Sequence, residues 1–499
     1  MGRNLNRSGL KNGPSLWLVY FALGGIIPAV AASKSSIVCA QDTPVAESLI
    51  RQEIEQQENA RPVLRISASM LYQPTAMPDR VILTINGDAR TTRAVSWRTS
   101  TDVTRPLVEI AEALPNAYFT ERAQQSEASS QLLETSLNRA HFHSYSFTDL
   151  KPGTKYAYRV GDGENWTEWF HFATAAAEDE EFSFIYFGDA QNNIRSMWSR
   201  VIREAYSDAP KAAFLLHAGD LVNKAESDAD WGEWCGAGAW MNAMMPNLAV
   251  PGNHEQGRDQ QQNGRLSIHW RPQFEFPTNG PVGLEETCYT LTYHNMRLLC
   301  LDSNREMEAQ AKWLDQVLSE NKSPWVVCCF HHPVFSTGKD RDNPKIRKLW
   351  KPIFDKYKVD LVLQGHDHTY GRTGLKVPTS ATNAEVGDPE SVLPENAEQK
   401  NVATGLQKID PQTGTVYVVS VSGPKMYPNQ RPEFMVRFAE DTQLYQIISI
   451  DGDQLKYEAR TAVGDLYDAF ELKKQAGTIN QLTEIPPEVP ENRRGQNTK

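Results

Sequence analysis

Between residues 182 and 372, five apolar runs of strand length each end in a side chain that can hold a metal ion. FSFIYFG leads into Asp189, AFLLHAG into Asp220, NLAVPG into Asn253 and His254, WVVCCF into His331 and His332, and VDLVLQG into His366, Asp367 and His368. Helix-like stretches such as NIRSMWSRVIREAY and AQAKWLDQVLSE lie between the runs. Strand and helix in alternation predict a mainly parallel or mixed sheet with helices on its faces. Ligands of such sheets bind at the carboxyl ends of the strands, where every one of these polar residues falls.

A lone Asp after a strand is ordinarily a cap or turn residue, so each end is weak by itself. Capping does not explain five in succession. His366 and His368, two positions apart, form a His-x-His pair that could reach two cations, or one after a bend. Carboxylate and amide oxygens with imidazoles make a mixed donor set that suits Zn, Fe or Mn better than Ca. A shared Asp is how two cations are held about 3.5–4 Å apart for hydrolysis.

The 499 residues carry a formal charge of −11, with 51 Lys+Arg against 62 Asp+Glu. That balance, without a basic run, argues against binding a nucleic-acid backbone. An anionic substrate therefore needs a local positive centre. Residues 1–40 hold Arg3, Arg7, Lys11 and Lys34, no acid, and an apolar stretch from Leu16 to Ala32, the layout of a signal peptide. Removal at Val38-Cys39-Ala40 would export the mature chain, secreted or periplasmic, and leave it more acidic. A retained N-terminal anchor at the cell surface is the alternative. No later segment is apolar enough to cross a membrane.

Residues 41–66 are polar and read as a linker. From 67 to 175, short runs such as RVILTI, AVSWRTS and TKYAYRVGD, punctuated by turns, predict an all-β sandwich, whose bland role is packing or spacing. Residues 376–412 form a polar insertion, and 473–499, with Ile485-Pro486-Pro487, read as a disordered tail. Cys288 and Cys300 flank a hairpin-like segment and either pair as a disulfide or stay as buried thiols. Cys328 and Cys329 read as core.

The ordered motifs GDAQ, GDLVNK, GNHE, HHPVFS and GHDHTYGR resemble the calcineurin-like metallophosphoesterase superfamily. LKPGTKYAYRV, with Trp97 upstream, resembles a fibronectin type III domain, and that module before the catalytic domain is similar to the purple acid phosphatase branch. The resemblance implies a sandwich of mixed β-sheets flanked by helices over residues 180–472, preceded by the fibronectin III-like sandwich. It implies two divalent or trivalent metal ions, Fe, Zn or Mn. Asp189 and His368 would bind the first, Asp220 would bridge, and Asn253, His331 and His366 would bind the second. His254 would contact the phosphate and protonate the leaving group, after a hydroxide bridging the metals attacks phosphorus in line.

The sequence departs from that pattern at three places. Purple enzymes carry a metal-binding Tyr where Asn223 stands, and other branches carry His where Gln191 stands. The Gln191 amide oxygen is expected to fill the vacant ligand position, with Asn223 as second choice. Plant-type enzymes have paired histidines where Asp340 and Arg341 stand, which makes Arg341, with Lys339 nearby, a candidate phosphate clamp. The implied activity is hydrolysis of small phosphate monoesters, acid phosphatase-like. A phosphodiesterase or nucleotide-processing enzyme on the same site, and a surface binding protein with a vestigial metal site, stand beside it. The oligomeric state is not legible.

Overall fold

The computed structural model describes residues 66–258, 264–378, 409–410, 414–475 and 478–494. The leader, the linker apart from Ile66, and most of the 376–412 insertion lie outside them. The described residues belong to one compact unit, Ile66–Lys499.

Two large sheets form the centre. The first has eleven strands, running from Gln481–Ile485 at one edge through Leu444–Asp451, Phe182–Phe187, Leu215–His217, Asn247–Ala249 and Asp79–Thr84 to Ser129–Glu134 at the other. The second has seven and includes Tyr289–Tyr293, Met296–Cys300, Trp325–Cys329, Leu361–Gln364 and Val416–Val419. Their facing sides share one core: Tyr186 and Ile448 from the first meet Leu298, Val327 and Leu363 from the second. The helix Ser199–Asp208 joins that core with Val201, Ile202 and Ala205. The helices Met307–Ser319 and Pro344–Tyr357 bury Leu314, Leu318, Ile346, Trp350 and Phe354 against the far face of the seven-stranded sheet. A run such as WVVCC is apolar throughout because the strand is covered on both faces. Trp325, Val327 and Cys329 face one core, Val326 and Cys328 the other.

That alternation also decides the cysteine pair. Tyr289, not Cys288, stands opposite Cys300 in the hairpin. Cys288 packs into the core under the helices and Cys300 into the core between the sheets, so both are free and buried. Neighbouring strand positions point to opposite faces, and the spacing that suggests a bridge cannot make one here.

The N-terminal strands are more than a spacer. Thr84 pairs in parallel with Asn247, so one sheet runs through the sandwich and the catalytic region without a break. Arg80 and Arg98 reach Asp228 across this junction, at 2.7 and 3.5 Å, with all three side chains buried. The sandwich's second sheet includes Leu107–Glu112 and Gln124–Glu127, and the latter, QQSE, is too polar to show in the apolar pattern.

The expected disordered tail is corrected in the same way. Gln481–Ile485 adds an edge strand to Leu466–Lys473, and Glu484 meets Arg372 at 2.7 Å while Glu491 meets Arg431 at 2.8 Å. Proline-rich polar sequence is held here by partners distant in the chain. Among the described residues, no helix is long and apolar enough to cross a membrane.

Candidate active site

Asp189, Asp220 and Asn253 follow three parallel strands of the eleven-stranded sheet; His331 and His366 follow two of the seven-stranded sheet. Packing the sheets face to face brings these five carboxyl ends together. The chain then turns back sharply, with φ of +30° at Asp189, +51° at Asp220, +75° at His366 and +52° at His368. Left-handed backbone is costly for such residues and marks a place where surrounding structure imposes the conformation. It also bends the His-x-His segment. Glycine is needed just before two of these residues: a Cβ on Gly252 would collide with Asp220 Oδ1, and one on Gly365 with Asp189 Oδ2.

The side chains form two adjoining groups. In one, Asn253 Oδ1, His331 Nε2 and His366 Nδ1 make a triangle with sides of 3.1, 3.0 and 3.2 Å. Metal–ligand bonds of roughly 2 Å produce ligand-to-ligand spacings of this size. His331 Nδ1 donates to the Ala218 carbonyl at 2.8 Å, which leaves Nε2 available to a metal ion. In the other group, ligand atoms of Asp189, Asp220 and His368 lie within 4.8 Å of one another. His368 Nδ1 donates to the Lys425 carbonyl at 2.8 Å, and its Nε2 turns toward the group. Asp220 touches both groups, with Oδ2 3.2 Å from His331 Nε2.

These residues fit metal ions. Asp189 Oδ1 is buried without a hydrogen-bond partner among the described residues, and a bound cation would satisfy it. Burial, with Asp220 adding to it, pushes the Asp189 carboxyl well above its ordinary range. Burial pulls the His331 imidazole down, but Asp220 and Asp189 outweigh it and raise the group to about 9. The two carboxylates thus favour positive charge at this place.

Gln191 is completely buried at the same place and presents its amide nitrogen, not its oxygen. Nε2 donates to Asp220 Oδ2 at 2.8 Å and lies 3.1 Å from His368 Nε2. A half-turn of the amide exchanges the two atoms without moving the side chain, so ligation through oxygen stands as a proposal. Asn223 enters by its main chain: its carbonyl accepts from His254 Nδ1 at 2.6 Å. The main-chain N–H of His254 donates to Asp220 Oδ1 at 2.9 Å.

Above the two groups opens a cleft of about 380 Å³, lined by His254, Arg341, Asn343, His366, Lys425 and Tyr427 among others. Arg341 is tied down rather than solvated: Nη2 donates to the His366 carbonyl at 2.7 Å and Nε lies 3.4 Å from Asp367 Oδ1. Lys339 is exposed and does not line the cleft.

Five further residues line or support the candidate site. Glu255, the last residue of GNHE, is buried and accepts from the main-chain N–H groups of Asp220 and Gly252 at 2.8 Å each and of Leu221 and Val222 at 2.8 and 3.2 Å. One carboxylate thus binds the loops that carry Asp220 and Asn253. Asp367 accepts from Ser336 Oγ and from the N–H groups of Thr337 and Gly338, at 2.8, 2.6 and 3.1 Å. His332, its ring 4.3 Å from that of His366, is close enough to join a metal group with His331 and His366. Its Nδ1 pairs with Ser303 Oγ at 2.8 Å. Lys425 and Tyr427 come from beyond the polar insertion, with nothing in the sequence to attach them to the motifs.

The geometry agrees with what the chain matches. Residues 78–174 match the purple acid phosphatase N-terminal domain, and residues 182–370 the calcineurin-like phosphoesterase family. The chain thus carries a purple acid phosphatase-type N-terminal domain followed by a calcineurin-like phosphoesterase domain. It is a metal-dependent hydrolase of phosphoric esters. An uncharacterized protein of Mycobacterium tuberculosis is 26% identical over 384 residues, 68% of each chain. The Fe(3+)-Zn(2+) purple acid phosphatase 12 of Arabidopsis thaliana is 24% identical over 298 residues, 55% of this chain and 62% of the relative. In fold, the phosphoesterase resembles a purple acid phosphatase from yellow lupin seeds, with a TM-score of 0.62 at 17% identity, over 80% of this chain and 75% of that one.

Proposed function

We propose that this phosphoesterase is exported through its N-terminal leader and hydrolyses small phosphate monoesters at a binuclear metal centre. One observation carries the reading: Asp189, Asp220, Asn253, His331, His366 and His368, from five strand ends in two sheets, converge beneath one open cleft. Asp189, His368 and the Gln191 amide would hold one cation and Asn253, His331 and His366 the other, with Asp220 within reach of both groups. Bound cations supply Lewis acidity and offset negative charge on a phosphoryl group.

The chain's own groups do the rest. The contact from His254 Nδ1 to the Asn223 carbonyl fixes the ring, so that Nε2 carries or releases the exchangeable proton. His254 lines the cleft, and a proton on Nε2 can pass to the departing alkoxide oxygen. Arg341 adds fixed positive charge at the open side. Asn343 and Tyr427 complete the wall on which the ester's organic part rests.

The test is turnover of p-nitrophenyl phosphate against bis-p-nitrophenyl phosphate by metal-loaded protein. Faster monoester turnover supports the reading. Faster diester turnover replaces it with the phosphodiesterase, and no turnover of either by protein that has bound its metals replaces it with the binding protein. Because Asn223 stands where a phenolate would bind iron, the metal-loaded protein is expected to be colourless. A visible phenolate-to-iron absorption band would overturn that assignment.

A further inference from the structure

Beside the ligand groups, two cationic side chains share one aromatic ring. Arg341 Cζ lies 5.3 Å and Lys425 Nζ 5.4 Å from the centre of the Tyr427 ring, which itself stands 4.8 Å from the ring of His368. We propose that Arg341 and Lys425 form a second anion subsite, so that the preferred substrates are phosphate esters carrying a further phosphate or carboxylate a few bonds from the scissile group. The inference rests on the phosphoesterase reading of the adjoining centre and names the substrate class it selects.

Three features support a binding site rather than a chance pair of surface charges. Arg341 is pre-set: its contacts to the His366 carbonyl and Asp367 fix the guanidinium, and Nη1 is left without a hydrogen-bond partner among the described residues. A donor fork already in place loses little freedom when it captures an oxyanion. The loop beneath it is pinned as well, because Asp367 accepts from Ser336, Thr337 and Gly338. Lys425 is half-buried, and among the described residues no carboxylate lies within ion-pair distance of its ammonium group. Its main-chain carbonyl holds His368 Nδ1, which roots the residue next to the ligand cluster while its side chain turns to Tyr427.

Of the acids nearby, only Asp367 meets the pair, through Arg341 Nε at 3.4 Å, and Lys425 is left without one among the described residues. Asp342 is taken by Arg347, with contacts of 2.6 and 2.7 Å, and Asp340 is exposed on the rim. Asp367 is shared with its loop amides. In a chain of net charge −11, two cations held against one ring at the mouth of the cleft repel each other until an anion lies between them. A single phosphate would be met by the centre and His254, whereas a second anionic group on the same molecule would fall to Arg341 and Lys425.

The experiment uses the full, metal-loaded chain and two pairs of compounds. Calorimetry measures binding of phosphonoacetate, which carries two anionic groups, against methylphosphonate, which carries one. Kinetics compare 2-phosphoglycolate with p-nitrophenyl phosphate. In Lys425→Ala the affinity for phosphonoacetate should fall about ten-fold more than that for methylphosphonate, the size expected for one charge-assisted contact. The ratio of kcat/KM for phosphoglycolate to that for p-nitrophenyl phosphate should fall by about the same factor, and Lys425→Arg should restore both. Equal losses for the members of each pair, or no loss, overturn the subsite. If wild-type protein discriminates between the phosphonates yet leaves p-nitrophenyl phosphate intact, the monoester reading fails while the anion subsite stands.

Discussion

On the floor of the cleft, Asp189, Asp220, Asn253, His331 and His366 stand on sharp turns directly after buried strands. On its wall, Arg341, Lys425 and Tyr427 stand on loops and are placed by side-chain contacts. Covalent position after a strand, with left-handed φ at Asp189, Asp220, His366 and His368, fixes the floor and leaves it little room to adjust. The wall depends instead on the contacts of Arg341 with His366 and Asp367, and on the Tyr427 ring. Substitutions on the floor should therefore abolish chemistry, while substitutions on the wall should change which ester is used.

The largest expected effect tests the floor. Asp220→Asn removes the carboxylate that touches both ligand groups, and metal analysis should show fewer than two bound ions, with turnover lower by about a thousand-fold or more. Retention of both ions with full activity would separate Asp220 from the centre. His254→Ala should keep both ions and lose on the order of a hundred- to a thousand-fold in kcat, the range of a missing general acid. Metal loss matching that of Asp220→Asn would give His254 a structural role instead.

A smaller effect is expected at the joint between floor and wall. Asp367→Ala leaves the Thr337 and Gly338 amides without their acceptor, at a cost of about 1–3 kcal/mol each for groups that stay buried. Thermal melts should show lower stability, and KM should rise more than kcat falls, because the loop bearing Arg341 is freed. An unchanged KM would mean that Arg341 is placed without Asp367.

The smallest effect concerns the junction between the sandwich and the catalytic region, away from the centre. Burial, with His141 adding to it, lowers His143 to about 4; burial likewise lowers His269 to about 4, although Asp228 opposes it. In the unfolded chain both titrate near 6.5, so between pH 6.5 and 4 the unfolded state binds more protons. Their contribution is intact above about pH 6.5 and is lost as pH falls toward 4. His269 has no hydrogen-bond partner on either ring nitrogen among the described residues. Thermal melts of His269→Phe across that range should therefore lose less stability on acidification than wild type, by at most about 3 kcal/mol. An unchanged pH dependence would show that His269 is not a source of it.

The strands that carry the site were legible because they are covered on both faces and must be apolar throughout, as in Phe182–Phe187 and Trp325–Cys329. Gln124–Glu127 and Gln481–Ile485 were not, since an edge strand facing water needs no apolar pattern and is held by main-chain pairing. The six candidate ligands were legible for a related reason: each follows directly on a readable strand. Glu255 lay within a quoted motif, but a carboxylate whose partners are main-chain amides leaves no paired signal in the sequence. Lys425 and Tyr427 carried no signal, because the polar insertion separates them from the motifs.

The sequence alone determined the order of the site-bearing strands and the alternation with helices, the donors at the strand ends, the absence of tyrosine at Asn223, and the family that these motifs mark. These are properties of local pattern, written in residue type and spacing. Tertiary structure decided that one sheet runs through both regions, that Cys288 and Cys300 face different cores, that Gln191 meets Asp220 and His368, and that Arg341 and Lys425 share one ring. Each depends on packing segments distant in the chain, where sheet register and side-chain facing, not spacing along the backbone, bring groups together.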